Sequence, residues 1–309
     1  MSKFIIIKKN SILSYIVSLL ILFVFISSIY FFFTKDRYIE AFTPVNSKNN
    51  ISFDLDGDGE KDEIEVSKEN NSYIINIKSK DETYSLTSKD NLALLGDSVT
   101  KWPIKIDVLD ISRNNIPEII VRLSKDKTPI NYIFSWNGDK FINTFTSNDN
   151  IVGILDSNNN KTPKLLSLSS SKGDGSTKGY IFFEDKIKDI TFSKPKVQGL
   201  SVIQSFIDII EAPYELSEAP NIFTSDIDSN ELAILWGLDK DNTRYSFQNG
   251  YFTDFEWDKD GNILGMNWTL SFENTKSVHD STPSKELLLY LTVKYDGYTS
   301  LKISSIKKI

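Results

Sequence analysis

Four aspartates fall within nine residues of the stretch Phe53–Val66, FDLDGDGEKDEIEV: Asp54, Asp56, Asp58 and Asp62, with Gly59 in their midst. Carboxylates at positions 1, 3 and 5 of a sharply turning segment can converge on one point, which is what a hard cation such as calcium requires. Gly59 supplies backbone freedom for the turn, and Asp62 stands at position 9. Glu65 falls at position 12, so the string formally matches the EF-hand pattern D-x-D-x-D-G-x5-E. The context differs, because an EF-hand needs a helix on each side. Here Glu63–Val66 alternates polar and apolar as a strand does, turning Glu65 away from Ile64 and Val66. The spacing predicts a β-loop-β calcium site with Asp54, Asp56, Asp58 and Asp62 as side-chain ligands and Glu60 giving a backbone carbonyl. The competing reading is a solvated acidic turn without an ion, whose clustered carboxylates would repel one another. Magnesium suits the pattern less, since it prefers few carboxylates and several waters.

Other chemistry is scarce. The chain has no cysteine and one histidine, His279. Disulfides, thiolate metal sites and cysteine nucleophiles are excluded, and machinery built on imidazole is disfavoured. His279 lies in a polar loop, SVHDSTPS, and its neighbours Asp280 and Ser281 do not make a triad by sequence adjacency alone. Ser169–Thr177, SSSKGDGST, lacks the order of a phosphate loop. Asp258–Asn262, DKDGN, reads as a hairpin tip before it reads as a second metal site. No residue is assigned a catalytic or cofactor-binding role. Trp236, Tyr245, Trp257 and Trp268 could line a ligand cavity, with a core role as the alternative.

The elements that must position the loop are short strands. From Ile51 to about Ile190, apolar and β-branched runs alternate with polar turns, and Asn137-Gly138 suggests a two-residue hairpin. Two further segments echo the acidic loop: Asp110–Val121, DISRNNIPEIIV, and Asp156–Leu168, DSNNNKTPKLLSL. With Asp54, Asp110 and Asp156 at position 1, position 3 holds Asp56, Ser112 and Asn158. Position 5 holds Asp58, Asn114 and Asn160, and position 9 holds Asp62, Glu118 and Lys164. The later copies have lost charge, so they are expected to keep the turn without the ion. Spacings of 56 and 46 residues suit a multi-stranded β unit. After a linker-like Ser193–Gly199, Leu200–Ile210 carries Val202, Ile203, Phe206, Ile207 and Ile210 on one helical face. Glu231–Gly237 suggests a second helix, and four long strands follow.

The N-terminus carries a 22-residue charge-free run, Ile12–Phe33, long enough to span a ~30 Å hydrocarbon core as a helix. Lys3, Lys8 and Lys9 precede it, which places the N-terminus in the cytoplasm and the bulk outside. A cleavable signal peptide is the alternative, but the run is long and no A-x-A-like site follows it. The expected layout is a cytoplasmic tail (1–11), a transmembrane anchor (12–34), a tether (35–50), a β-repeat domain (51–193) and an α+β domain (199–309). Removing the three lysines from 35 basic residues leaves 32 against 42 acidic, a net charge of −10. Such an ectodomain does not bind nucleic acid by neutralising phosphates.

DLDGDGEKDEIEV and its two echoes resemble the FG-GAP/VCBS repeat family, the integrin-α-like β-propeller repeat with a DxDxDGxxD calcium loop. The resemblance spans roughly residues 45–190, with one full motif. It implies a partial, propeller-like β meander whose calcium is structural, and an extracellular role in adhesion or surface binding. Residues 199–309 are similar in element order to the NTF2-like (cystatin-like) α+β fold with its curved antiparallel sheet. The expected fold is thus an all-β repeat domain followed by an α+β domain, behind one N-terminal transmembrane helix. The expected function is a membrane-anchored, non-enzymatic, calcium-stabilised binding or scaffolding protein of the bacterial cell envelope, its partner an envelope protein or glycan. The alternative is a small-ligand receptor or envelope enzyme using a cavity in the C-terminal part.

Overall fold

The computed structural model describes residues 19–20, 22–23, 51–90, 92–156, 162–169, 177–183, 186–214, 217–218, 220–276, 283–297 and 300–309. The chain divides into two compact units, residues 1–41 and 42–309. In the first, only Leu19, Leu20, Leu22 and Phe23 are described, and they are helical. The remainder of the expected tail, anchor and tether lies outside the described residues. Among the described residues no helix is long and apolar enough to cross a membrane.

The second unit is built from four-stranded antiparallel meanders. The first comprises β1 (Ile51–Phe53), β2 (Asp62–Glu69), β3 (Ser72–Ser79) and β4 (Glu82–Ser85). The second comprises β5 (Lys105–Leu109), β6 (Glu118–Lys125), β7 (Thr128–Trp136) and β8 (Phe141–Ser147). Alternation in β3 turns Tyr73, Ile75 and Ile77 inward. The β2–β3 and β6–β7 turns are two-residue loops, Asn70-Asn71 and Asp126-Lys127, with positive φ at all four residues. That conformation matches strand twist and makes the hairpins tight. The expected two-residue turn at Asn137-Gly138 is instead a four-residue loop between Trp136 and Phe141. Only Gly138 has positive φ there, and the Asn137 side chain accepts from the backbone N–H groups of Asp139 and Lys140.

A third meander, β9 (Ile151–Leu155), β10 (Lys164–Leu168), β11 (Lys178–Phe183) and β12 (Lys186–Asp189), does not stand alone. Its first strand pairs in parallel with β13 (Thr243–Trp257), from Gly250↔Ile151 to Thr253↔Ile154. The last four strands, β13, β14 (Ile263–Lys276), β15 (Lys285–Tyr295) and β16 (Leu301–Lys308), continue as an antiparallel meander. The result is one eight-stranded sheet in the order β12-β11-β10-β9-β13-β14-β15-β16. This corrects the expected fold class. There is no β-repeat domain followed by a separate α+β domain: the described residues are dominated by strands, one sheet runs through both halves, and the described part contains no spanning helix. The physical reason lies in IVGIL, all five residues of which are buried. Such a strand needs cover on both faces and partners on both edges, and β13 supplies the second edge.

Three apolar layers hold the stack. One joins the first and second sheets through residues such as Ile75, Ile77, Val121 and Phe134. Another joins the second sheet to the β9–β11 region through Ile120, Ile133, Phe145, Val152 and Leu165. The largest lies on the other face of the eight-stranded sheet, beneath helix α1 (Leu200–Glu211), and includes Phe252, Trp268, Leu270 and Leu289. The expected helical face is the buried one: Ile203, Phe206, Ile207 and Ile210 are all covered. Burying each such side chain contributes about 1.5–3 kcal/mol. Lys240 closes the end of α1, its ammonium donating to the carbonyls of Ile209 (2.5 Å) and Ala212 (2.9 Å). A second helix, α2 (Ser229–Leu232), begins two residues before the expected one and is a single turn. It packs near β16, and Glu231 accepts the Ile306 backbone N–H at 2.8 Å. Ile222–Thr224 pairs with Ile303 at the same edge, so β16 is capped along its outer side.

Candidate metal centre

The acidic loop joins β1 to β2, so two paired strands fix its ends: Phe53 and Asp62 are register partners. Leu55 is fully buried in the layer between the first two sheets and anchors the loop's start. Asp62, at the start of β2, is also buried, and its Oδ2 accepts the Leu55 backbone N–H at 2.7 Å. Within that clamp the chain curls. Asp54 accepts from the N–H groups of Gly57 (2.8 Å) and Gly59 (3.0 Å), Asp56 from Asp58 (3.0 Å), and Asp58 from Glu60 (2.7 Å). Gly57 and Gly59 take φ of +81° and +88°, the left-handed region where glycine has no steric penalty.

This curl brings carboxylate oxygens of Asp54, Asp56 and Asp58 within 4.8 Å of one another. Three hard oxygen donors at that separation suit a calcium ion. Asp62 stands outside this trio, engaged with Leu55. Glu60 is exposed, and its backbone N–H faces Asp58. Two residues absent from the sequence-based ligand set reach the loop from the β3–β4 turn. Ser79 Oγ donates to Asp56 Oδ2 at 2.7 Å, and the Lys80 ammonium sits 2.6 Å from Asp58 Oδ2. Sequence spacing gives no hint of either, because they lie more than twenty residues downstream. Lys80 and the Glu60 N–H hold the Asp58 carboxyl below its usual range. Burial pushes Asp62 the other way, reinforced by the nearby charges of Asp56 and Asp58.

The second loop keeps three of the first loop's bonds, the ones to positions 1, 5 and 9. It joins β5 to β6, the same place in the second meander. Asp110 accepts from Asn114 and Asn115, Asn114 Oδ1 accepts from Ile116, and Glu118 accepts from Ile111 at 2.7 Å and Ser112 at 3.2 Å. Arg113 and Asn115 have positive φ at the positions of Gly57 and Gly59. Ile111 is buried like Leu55. Burial raises the Glu118 carboxyl, as it does Asp62. With Ser112 and Asn114 at positions 3 and 5, this loop keeps the turn but lacks the trio of carboxylates.

The third loop joins β9 to β10. Its Asp156 is paired with Arg113 of the second loop, and its backbone N–H donates to Asp254 Oδ1 at 3.0 Å. Asn158 and Asn160 lie outside the described residues, and Lys164 opens β10. The loops also touch: a side chain at Gly57 would meet Ile116 at 2.8 Å. Asp258–Asn262 occupies the equivalent place between β13 and β14, where Asp258 Oδ1 accepts from the N–H groups of Asp260 and Asn262.

Three of the four aromatic candidates share one apolar layer. Trp268 is fully buried and stacked on Phe252 at 4.5 Å, Tyr245 is buried, and Trp257 donates its Nε1–H to Asp254. Trp236 is at the surface. The first three are core residues of one layer or lie against it. His279 lies outside the described residues. No family model matches the chain and no curated protein matches it, so the FG-GAP/VCBS likeness is carried by the residues of the loops alone.

Proposed function

We propose that the protein is a non-enzymatic, calcium-braced binding or scaffolding protein of the cell envelope. The observation that carries this reading is the trio Asp54, Asp56 and Asp58, whose carboxylate oxygens lie within 4.8 Å of one another on a hairpin clamped at both ends. A bound calcium would draw these three together and brace the β1–β2 hairpin; it would supply no chemistry beyond that. Asp54 would keep its backbone donors while offering its remaining lone pairs. Lys80 is the counter-charge to Asp58 in the ion-free loop, so it must release that carboxylate when a divalent cation enters. An extracytoplasmic location is supported by the charge-free run Ile12–Phe33 and by Lys3, Lys8 and Lys9, which precede it. The partner is then an envelope protein or a glycan.

The test is thermal unfolding of the full chain with and without calcium. Binding to the folded state alone stabilises by about 2.7 kcal/mol at one hundred times Kd. Calcium should raise Tm in the parent and leave the Asp56→Asn, Asp58→Asn double variant unmoved. An equal response from both would remove the metal assignment. Location is checked separately: protease added to intact cells should digest residues 42–309, and full protection would refute an outside position.

A further inference from the structure

Where the second sheet meets the eight-stranded sheet, the apolar layer around Ile120 and Val152 gives way to charge. Lys105 of β5 and Arg122 of β6 are register partners. The Lys105 ammonium lies 2.6 and 2.8 Å from the two carboxylate oxygens of Glu286. Ser271 Oγ is within hydrogen-bond distance of Glu286 and of Gln248, whose Nε2 donates to the Lys101 carbonyl at 2.8 Å. Lys101 pairs with Glu273 at 2.8 Å. Arg122 donates through Nη2 to Asp107 at 2.8 Å and lies 4.4 Å above the Tyr251 ring. Thr269 is the register partner of Tyr251 on β14.

Three cations thus meet three carboxylates, one to one. Yet among the described residues Nε and Nη1 of Arg122, a residue 4% exposed, have no acceptor, and neither do the buried Trp102 Nε1 and Thr269 Oγ1. Buried donors without partners are rare in native proteins, and those on charged groups cost the most. The guanidinium hydrogens call for an acceptor beyond the described side chains. An anion would add an uncompensated charge to a buried seam whose charges already cancel, which desolvation penalises heavily. Water adds no charge, and can accept from Arg122 while donating to a hydroxyl such as Thr269.

We propose that ordered waters are built into this seam, with separate molecules on Arg122 Nε and Nη1, so that the second and eight-stranded sheets join through a hydrated polar contact beside a dry apolar one. Two molecules are needed because the Nε–H and Nη1–H bonds of a guanidinium diverge in its fixed planar fork.

High-resolution diffraction from crystals of the full chain tests this, with a second crystal soaked in bromide. The expected result is solvent density within hydrogen-bond distance of both nitrogens and no anomalous bromide peak there. A bromide peak would make it an anion site and overturn the proposal. Both nitrogens bonded directly to protein acceptors would overturn it as well. Arg122→Lys keeps the charge facing Asp107 but lacks both donors. Its structure should lose these waters, and their persistence would show that Arg122 does not hold them.

Discussion

Gly153 offers the sharpest test of the single continuous sheet. It sits in β9 with Leu166 of β10 on one side and Phe252 of β13 on the other. A Cβ placed there would stand 2.4 Å from three atoms of the Phe252 ring. That ring cannot swing aside cheaply, because it is fully buried and stacked on Trp268. Gly153→Ala should therefore strain the parallel seam by about 1–3 kcal/mol, the usual cost of forcing extra volume into a packed core. Against this, alanine narrows the unfolded ensemble and favours folding by about 0.5–1 kcal/mol. The net expectation is a loss of ~1–2 kcal/mol. Urea unfolding of the full chain measures it as a lower midpoint at unchanged m. Adding Phe252→Leu should relieve the clash, with a coupling of about 0.5–3 kcal/mol between the two sites. An alanine variant as stable as the parent, or strictly additive losses, would mean that β9 and β13 do not pack as described.

Two further perturbations probe the links between layers. Asp149 is buried just before β9 and accepts from Ser147, Ser167 and Ser169 and from the Lys178 ammonium at 3.0 Å. Burial would raise its carboxyl, but the serine hydroxyls and Lys178 outweigh it and hold the group below its usual range. A depressed carboxyl stabilises the fold above its unfolded pKa, about 3.9, and that contribution fades as pH falls through the folded value. Asp149→Ala should lose about 2–3 kcal/mol at neutral pH, and the gap to the parent should close in acid; denaturant titrations across pH follow this, and a pH-independent gap would contradict it. Lys240→Met should lower stability by about 1–2 kcal/mol by removing the donors at the end of α1, read as a drop in Tm with no change in calcium response.

Local features of this protein were written locally. The buried face of α1, the long C-terminal strands and the acidic turn could be read because each depends on neighbours a few residues apart. The second loop's shape was also legible, since Asp110 and Glu118 keep the positions of Asp54 and Asp62. What sequence could not show were pairings over long separations. Nothing in IVGIL says that its second edge belongs to a strand beginning at Thr243. Nor does the loop announce that Ser79 and Lys80 reach back to it across a sheet. The Asn137-Gly138 turn departs from expectation for a different reason: the pair suggests positive φ at both residues, but the Asn137 side chain bonds the backbone just after it instead. The seam brings Lys105 to Glu286, 181 positions apart, beyond any periodic signal.

The capped rim of β16 matters for what this chain does when crowded. An open strand end-on to solvent is a template on which a second copy can zip its own backbone, and the outcome is swapped dimers or fibres. Here Ile222–Thr224 and the Glu231 carboxylate already occupy backbone groups along that rim. The opposite rim, β12, is only four residues long and carries Lys186, Lys188 and Asp189. The eight-stranded sheet, the largest in the chain, thus offers little free edge on which a second copy could add its own strand when the protein is concentrated.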